Sequence, residues 1–253
     1  MYNLPFISQE DFENHVRDTI RTYNETLQRI DLKKFNQNVI DPIKLLFDKS
    51  VYQQSFDDVI KAEIQRQRDK SNTNSIGYFH QNMFKYIARC EVPESGWDVL
   101  VNDDPKYHKI FVEMKNKHNT MNSASSQKTY MKMQNQILRT PENYCFLVEV
   151  IAPRSRNNVW KCCVDGTHVE HEHIRRVSID QFYKIVTRIN NAFYMVCQQL
   201  PETIEKLVSQ DQTLRVQHDT VIDELRAGGT DMQTQLYLLA FETYEGFQNE
   251  KIK

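Results

Sequence analysis

The sequence predicts an α/β fold: a mixed β-sheet flanked by helices, with extra helices at the N- and C-termini. Three observations carry this. Glycine and proline number only six and seven in 253 residues, which favours long helices over a turn-rich all-β chain. Apolar residues recur at helical spacing from Phe12 to Ile64 and again after Ser178. Between these stretches the period shortens in "WDVLVN", "KIFVEMK", "YCFLVEVIA" and "VWKCCVDG", which read as strands.

The elements follow in order. Ser8 opens a first helix with Glu10 and Asp11 in its first turn, and Phe12, Val16, Ile20, Tyr23 and Leu27 continue it. A second helix begins near Pro42 and carries Ile43, Leu46 and Phe47. A third runs from Ser55 to about Arg68, with Phe56, Val59, Ile60 and Ile64 on one face. The polar "DKSNTNS", residues 69–75, reads as a break. The next helix, "IGYFHQNMFKYIARC", spaces Phe79, Met83, Phe84 and Ile87 to face a core. "WDVLVN" ends at the turn "DDP", "KIFVEMK" returns, and a helix fills 123–138 before the last two strands.

From Ser178 the chain is helical again. Ser178 and Gln181 form a capping-box pattern, and Phe182, Ile185, Ile189, Phe193 and Val196 follow. Pro201 fits the first turn of a new helix, "AGG" at 227–229 ends it, and a last helix covers about 231–247. The expectation is a single domain over 1–253: an N-terminal helical region (1–75), an α/β core of about 76–177, and a C-terminal helical region (178–253).

The formal net charge of −2 announces no polyanionic partner, but binding needs local basic surface rather than a basic total. "KAEIQRQRDK" and "KYHKIFVEMKNK" are such local concentrations, whereas acids gather in the tail after residue 201. Five cysteines at irregular spacing fit neither a disulfide framework nor a zinc ribbon, so they read as buried thiols of a cytoplasmic protein. "MYNLPFISQEDF" has no secretory pattern, and no apolar run approaches membrane-spanning length.

One stretch carries chemistry. In "IFVEMKNKHN", residues 110–119, strand alternation sends Ile110, Val112 and Met114 one way and Phe111, Glu113 and Lys115 the other. A hairpin from the preceding strand brings Asp98 beside Glu113. Two neighbouring carboxylates repel unless a cation lies between them, and magnesium suits an all-oxygen site. Such a site polarises a phosphodiester, with Asp98 and Glu113 as ligands and Lys115 placed to orient the attacking water. The pattern of an acid two residues before lysine also occurs at Asp31-Leu-Lys33 and Asp104-Pro-Lys106, in a helical region and a turn. Spacing alone fits solvated hairpin ends as well as it fits a metal site.

The residues around this motif resemble the PD-(D/E)XK nuclease superfamily. Asp98, then Glu113-x-Lys115, preceded by a helix bearing Gln81, match its pattern. More closely, "IDPIKLLFDK", "RQRDKSNTNSIGYFHQ" and "FVEMKNKHNTMN" resemble a family of type II restriction endonucleases that cut GGNCC-type sites. The resemblance runs from near "LPFIS" to "LP" at 200–201. It implies a restriction-endonuclease-like core and Mg2+-dependent hydrolysis of both strands of a short palindromic double-stranded DNA site. It also implies a homodimer and a DNA methyltransferase protecting the same site. Asp98, Glu113 and Lys115 become the catalytic set, with Gln81 where many members carry a glutamate. Trp97 stands where the superfamily has proline.

Two basic and amide-rich clusters flank that set: Arg66, Arg68, Lys70, Asn72 and Asn74 before it, and Lys117, His118, Asn119, Asn122 and Ser123 after it. Arginine and lysine suit guanine edges and asparagine suits adenine or backbone, although each residue also reads as a solvated loop or helix end. Arg154 and Arg156 in "PRSRNN" form a third basic loop. "HVEHEH" places His168, His171 and His173 close together without a cysteine at ligand spacing, and reads as a polar surface segment rather than a zinc site. Two rivals stay open: a repair or recombination nuclease without strict specificity, and a non-catalytic DNA-binding protein.

Overall fold

The computed structural model describes residues 2–211 and 218–242. They form two compact units, each assembled from two separate stretches of the chain: residues 2–20 with 75–211, and 21–74 with 218–242.

The first unit is built on a six-stranded mixed sheet. In chain order its strands are β1 (Cys90–Glu91), β2 (Val99–Asp104), β3 (His108–Lys117), β4 (Tyr144–Ile151), β5 (Asn157–Val159) and β8 (Ile174–Ser178). They lie in the order β1-β2-β3-β4-β8-β5. The β2/β3 pair is antiparallel, β3/β4 and β4/β8 are parallel, and β5 returns antiparallel to β8. Between them, β6 (Cys162–Val164) and β7 (Thr167–Val169) form a separate two-stranded ribbon.

Each face of the sheet meets its own core. Val99, Ile110, Val112, Phe146, Val148 and Val177 bury on one side. They pack with Phe12 and Val16 of α1 (Gln9–Leu27) and with Phe79 and Met83 of α4 (Phe56–Met83). Phe182 of α6 (Ile179–Thr187) and Val196 of α7 (Ala192–Gln210) complete that side. On the other side Cys145, Leu147 and Ile174 meet Tyr130, Met133 and Ile137 of α5 (Ser123–Arg139). A parallel pair requires a crossover, and α5 provides it between β3 and β4.

The second unit is helical. Phe35 of α2 (Leu32–Asn36), Leu45 of α3 (Pro42–Val51) and Ile60 and Ile64 of α4 share a core with Val221 and Leu225 of α8 (Val221–Ala227) and Leu236 of α9 (Met232–Phe241). Helices α2, α3 and α4 from the N-terminal region thus share one core with α8 and α9 from the C-terminal region.

Several local readings hold. Ser8 Oγ accepts from the Asp11 amide at 3.1 Å, capping α1. The predicted core positions Phe79, Met83, Phe84 and Ile87 are all buried. The two decoy motifs are structural: Asp31 caps α2 through the Lys34 amide at 2.8 Å, and Asp104 closes the β2–β3 turn on the amides of Lys106 and Tyr107, each at 3.0 Å.

Others change. The expected break at 69–75 is helix, because the stretch contains neither glycine nor proline and its polar side chains find local partners. Ser71 Oγ donates to the Gln67 carbonyl at 3.3 Å, and Asn72 accepts from Thr26 at 3.0 Å. The Ser178–Gln181 capping box does not form, since Ser178 Oγ accepts from the Arg156 amide at 2.9 Å instead. The helix begun at Ile179 stops at Arg188, which adopts the left-handed conformation at φ 62°. Pro201 lies inside α7, where burial of Val196, Thr203 and Leu207 along one face outweighs the lost amide bond. On α3, Pro42 and Leu45 are buried, and Ile43 and Phe47 are exposed. "VWKCCVDG" splits at Trp160, whose buried ring lies 5.3 Å from Tyr130. "HVEHEH" supplies β7, and β8 follows it. Positions 243–247 of the expected last helix lie outside the described residues.

Candidate active site

Alternation on β3 sorts its side chains as the sequence predicts. Ile110, Val112 and Met114 enter the first core, and Phe111 packs on the opposite face with Glu113 and Lys115. The Asp98 amide donates to the Val112 carbonyl at 3.0 Å. Its carboxylate Oδ2 accepts from the Met114 amide at 2.7 Å. Asp98 is thereby fixed on both sides of Glu113, by its own backbone and its own side chain. The hydrogen bond to Met114 also holds the aspartate in a single orientation.

Glu113 is the more enclosed acid, with 13% of its side chain exposed, and it lies between two ammonium groups. Lys115 Nζ is 3.8 Å from Oε2. Lys132, from α5, donates to Oε1 and to the Gly96 carbonyl. The Lys132 ammonium also lies 4.1 Å over the Trp97 ring, which rests on Phe111 with centroids 5.4 Å apart. Trp97 thus forms a floor for the cationic side of the site. Beneath, burial pushes the Cys145 thiol up to about 12, so it is neither a thiolate ligand nor a nucleophile at neutral pH.

A second charged assembly adjoins the first. Glu149 stands beside Lys115 in the β3/β4 register and is fully buried. It accepts from both Arg156 and Arg176. Arg176 also reaches the His118 carbonyl at 3.5 Å. This triad ties the chain after Lys115 to the 153–158 loop and to β8.

The structure brings Asp98, Glu113 and Lys115 together. Gln81 is half-buried on α4, whose Phe79 and Met83 enter the core on the opposite face of the sheet. Among the described residues no hydrogen bond joins Gln81 to the other three. Lys117, His118 and Asn119 are exposed directly after Lys115. Asn122 caps α5 by accepting from the Ser125 amide at 2.8 Å, and Ser123 and Arg154 are exposed. In the second unit Arg66 pairs with Glu63 at 2.5 Å. Arg68 forks onto Asp219 at 2.8 and 3.0 Å and bonds the Thr26 carbonyl at 2.8 Å. Lys70 and Asn74 are exposed there. His168 and His171 are exposed, and His173 stacks on Tyr144 at 4.0 Å.

Two participants escape a reading of motifs. Lys132 sits in "TYMKMQNQIL" and looks like an ordinary polar position on an amphipathic helix. Glu149 had a signal: a lone carboxylate inside the apolar strand "YCFLVEVIA" requires a buried partner.

Among the described residues no group of three or more His, Cys, Asp or Glu side chains gathers as a metal cage. Two carboxylates are nevertheless a fitting donor set for magnesium, which keeps several of its waters. That Glu113 already attracts a cationic ammonium marks the position as one that favours positive charge.

A mixed sheet with an acid at the start of one strand and Glu-x-Lys on its antiparallel neighbour, covered by a crossover helix, defines the restriction-endonuclease-like class. Within it, the chain belongs to the Eco47II restriction endonuclease family, whose model matches residues 4–209. It is 32% identical over 210 residues to the type II restriction enzyme Sau96I of Staphylococcus aureus, covering 80% of each chain. It is 27% identical over 219 residues to the type II restriction enzyme Eco47II of Escherichia coli, covering 82% of this chain and 89% of that one.

Proposed function

We propose that the protein is a type II restriction endonuclease hydrolysing both strands of a short palindromic DNA site, GGNCC-like, with magnesium as cofactor. The observation that carries this is the fixed placement of Asp98 around Glu113, with Lys115 at 3.8 Å, in a chain of this family.

Asp98 and Glu113 would hold the metal, which would supply Lewis acidity toward the scissile phosphate. Lys115 positions the attacking water and balances charge developing on the phosphoryl oxygens. Gln81, implied for the site by the family resemblance, makes no hydrogen bond to these three residues among the described residues and is assigned no step. Lys117, His118 and Asn119 are the DNA contacts best supported, because they are exposed on the segment that leaves the site. Ser123 and Arg154 in the first unit, and separately Lys70 and Asn74 in the second, offer exposed polar groups for phosphate or base contacts. Arg156 and Asn122 in the first unit, and Arg68 in the second, already serve structural partners. A palindromic site is read by a two-fold protein, so the enzyme acts as a homodimer. In the cytoplasm, a methyltransferase modifying the same site protects the host DNA. Among the described residues, no helix is long and apolar enough to cross a membrane.

Digestion of unmethylated bacteriophage DNA with magnesium tests this reading. Discrete fragments whose ends share one GGNCC-like sequence are expected. A smear would favour a nuclease without site specificity, and discrete ends at an unrelated sequence would remove the GGNCC assignment alone.

A further inference from the structure

Lys132 is not among the Asp98, Glu113, Lys115 motif residues, yet it makes the most direct contact with Glu113. An ammonium has three protons to place. Here two point at the Gly96 carbonyl and Glu113 Oε1, and the ammonium faces the Trp97 ring at 4.1 Å. Its helix is anchored by Tyr130, Met133 and Ile137, so the position of the side chain's base is fixed. The side chain itself is 38% exposed, which leaves room for the ammonium to swing off.

Glu113 therefore has a cation against each oxygen: Lys132 on Oε1 and Lys115 3.8 Å from Oε2. The second contact is too long for a hydrogen bond, so Lys132 is the stronger partner. A divalent cation bound by Glu113 and the Lys132 ammonium draw on the same carboxylate and repel each other at close range.

We propose that Lys132 is a positioning residue that orients Glu113 and competes with the divalent cation for it, leaving the carboxylate when the metal arrives. This rests on the metal-dependent reading of the site. Its consequence is that metal binding to the protein alone is weaker than the two carboxylates would otherwise give. A phosphate that attracts the displaced ammonium strengthens metal binding, and by linkage the metal strengthens phosphate binding equally.

The test measures Mg2+ binding by calorimetry in the absence of DNA, for the full chain, Lys132→Met, Lys132→Arg and Glu113→Gln. Trp97 fluorescence is followed in parallel in a Trp160→Phe background. Lys132→Met removes the charge at similar length and should bind Mg2+ about ten-fold more tightly, whereas Lys132→Arg should stay near the parent protein. Mg2+ should change Trp97 emission in the parent, as the ammonium leaves the indole, and should leave it unchanged in Lys132→Met. Equal or weaker Mg2+ binding by a folded Lys132→Met protein would overturn the proposal while leaving the metal site intact. Should Lys132→Met fail to fold, a parent Trp97 signal that is silent to saturating Mg2+ overturns it, and a signal abolished by Glu113→Gln supports it. Absence of Mg2+ binding in every protein would instead reject the metal reading, and this inference with it.

Discussion

Glu149→Ala is the sharpest structural perturbation available near the site. The carboxylate is fully buried and is bonded by two guanidinium groups, Arg156 and Arg176, whose side chains are only 18% and 26% exposed. Among the described residues, the Nε atoms of both arginines are buried without another partner. Removing the acid therefore leaves two like charges facing each other over an apolar methyl group. Breaking a buried pair by deleting one member costs roughly 3–5 kcal/mol. Because both arginines keep a solvent edge, about 3 kcal/mol is the appropriate expectation. For a chain of this size that is a fall in Tm of about 6–12 °C. Thermal melts followed by circular dichroism at pH 7 read it directly. Glu149→Gln, which keeps an acceptor, should lose less. A Glu149→Ala melt within about 2 °C of the parent would show that the arginines re-solvate freely, and would refute the bracing role given to the triad.

Two further outcomes follow from other regions of the structure. Burial pushes the His80 imidazole down to about 4, with a smaller contribution from His15, and its Nδ1 has no partner among the described residues. The unfolded chain thus takes up a proton near pH 6.5 that the folded chain refuses until about pH 4. Stability is complete above the higher value and declines as pH falls toward the lower, by about 3 kcal/mol in all. Urea midpoints at pH 7 and pH 4.5 should differ accordingly, and His80→Phe should flatten the difference; an unchanged slope would contradict the assignment. Lys115→Ala should retain specific DNA binding in a gel-shift assay while cleavage falls by about 10²–10⁴-fold, and near-normal turnover would remove Lys115 from the mechanism.

How much of this was legible in the sequence depends on whether local pattern or distant packing decides. Strand alternation placed Glu113 and Lys115 on one face without help, because period two leaves a half-buried strand no alternative. Helical periodicity likewise identified the core face of Phe79, Met83, Phe84 and Ile87. It does not single out the core face of α3, where the apolar Ile43 and Phe47 are exposed and Leu45 is the residue that joins the helical core. The polar 69–75 stretch suggests a break, but serine and asparagine lower helix propensity without interrupting the hydrogen-bond ladder. The assembly of the two chain ends into one unit and the contact of Lys132 with Glu113 depend on three-dimensional proximity alone. No spacing rule connects Arg68 with Asp219, or α5 with the floor made by Trp97.

Asp98, Glu113 and Lys115 are the proposed metal-dependent phosphodiesterase site. Its most direct measurement is cleavage of a duplex bearing a single GGNCC site by the parent protein and by Asp98→Ala. Each is assayed with magnesium and again with chelator. Double-strand cleavage is expected from the parent with magnesium only, and none from the variant although it is folded. Cleavage by Asp98→Ala at the parental rate, or cleavage that persists in chelator, would contradict it.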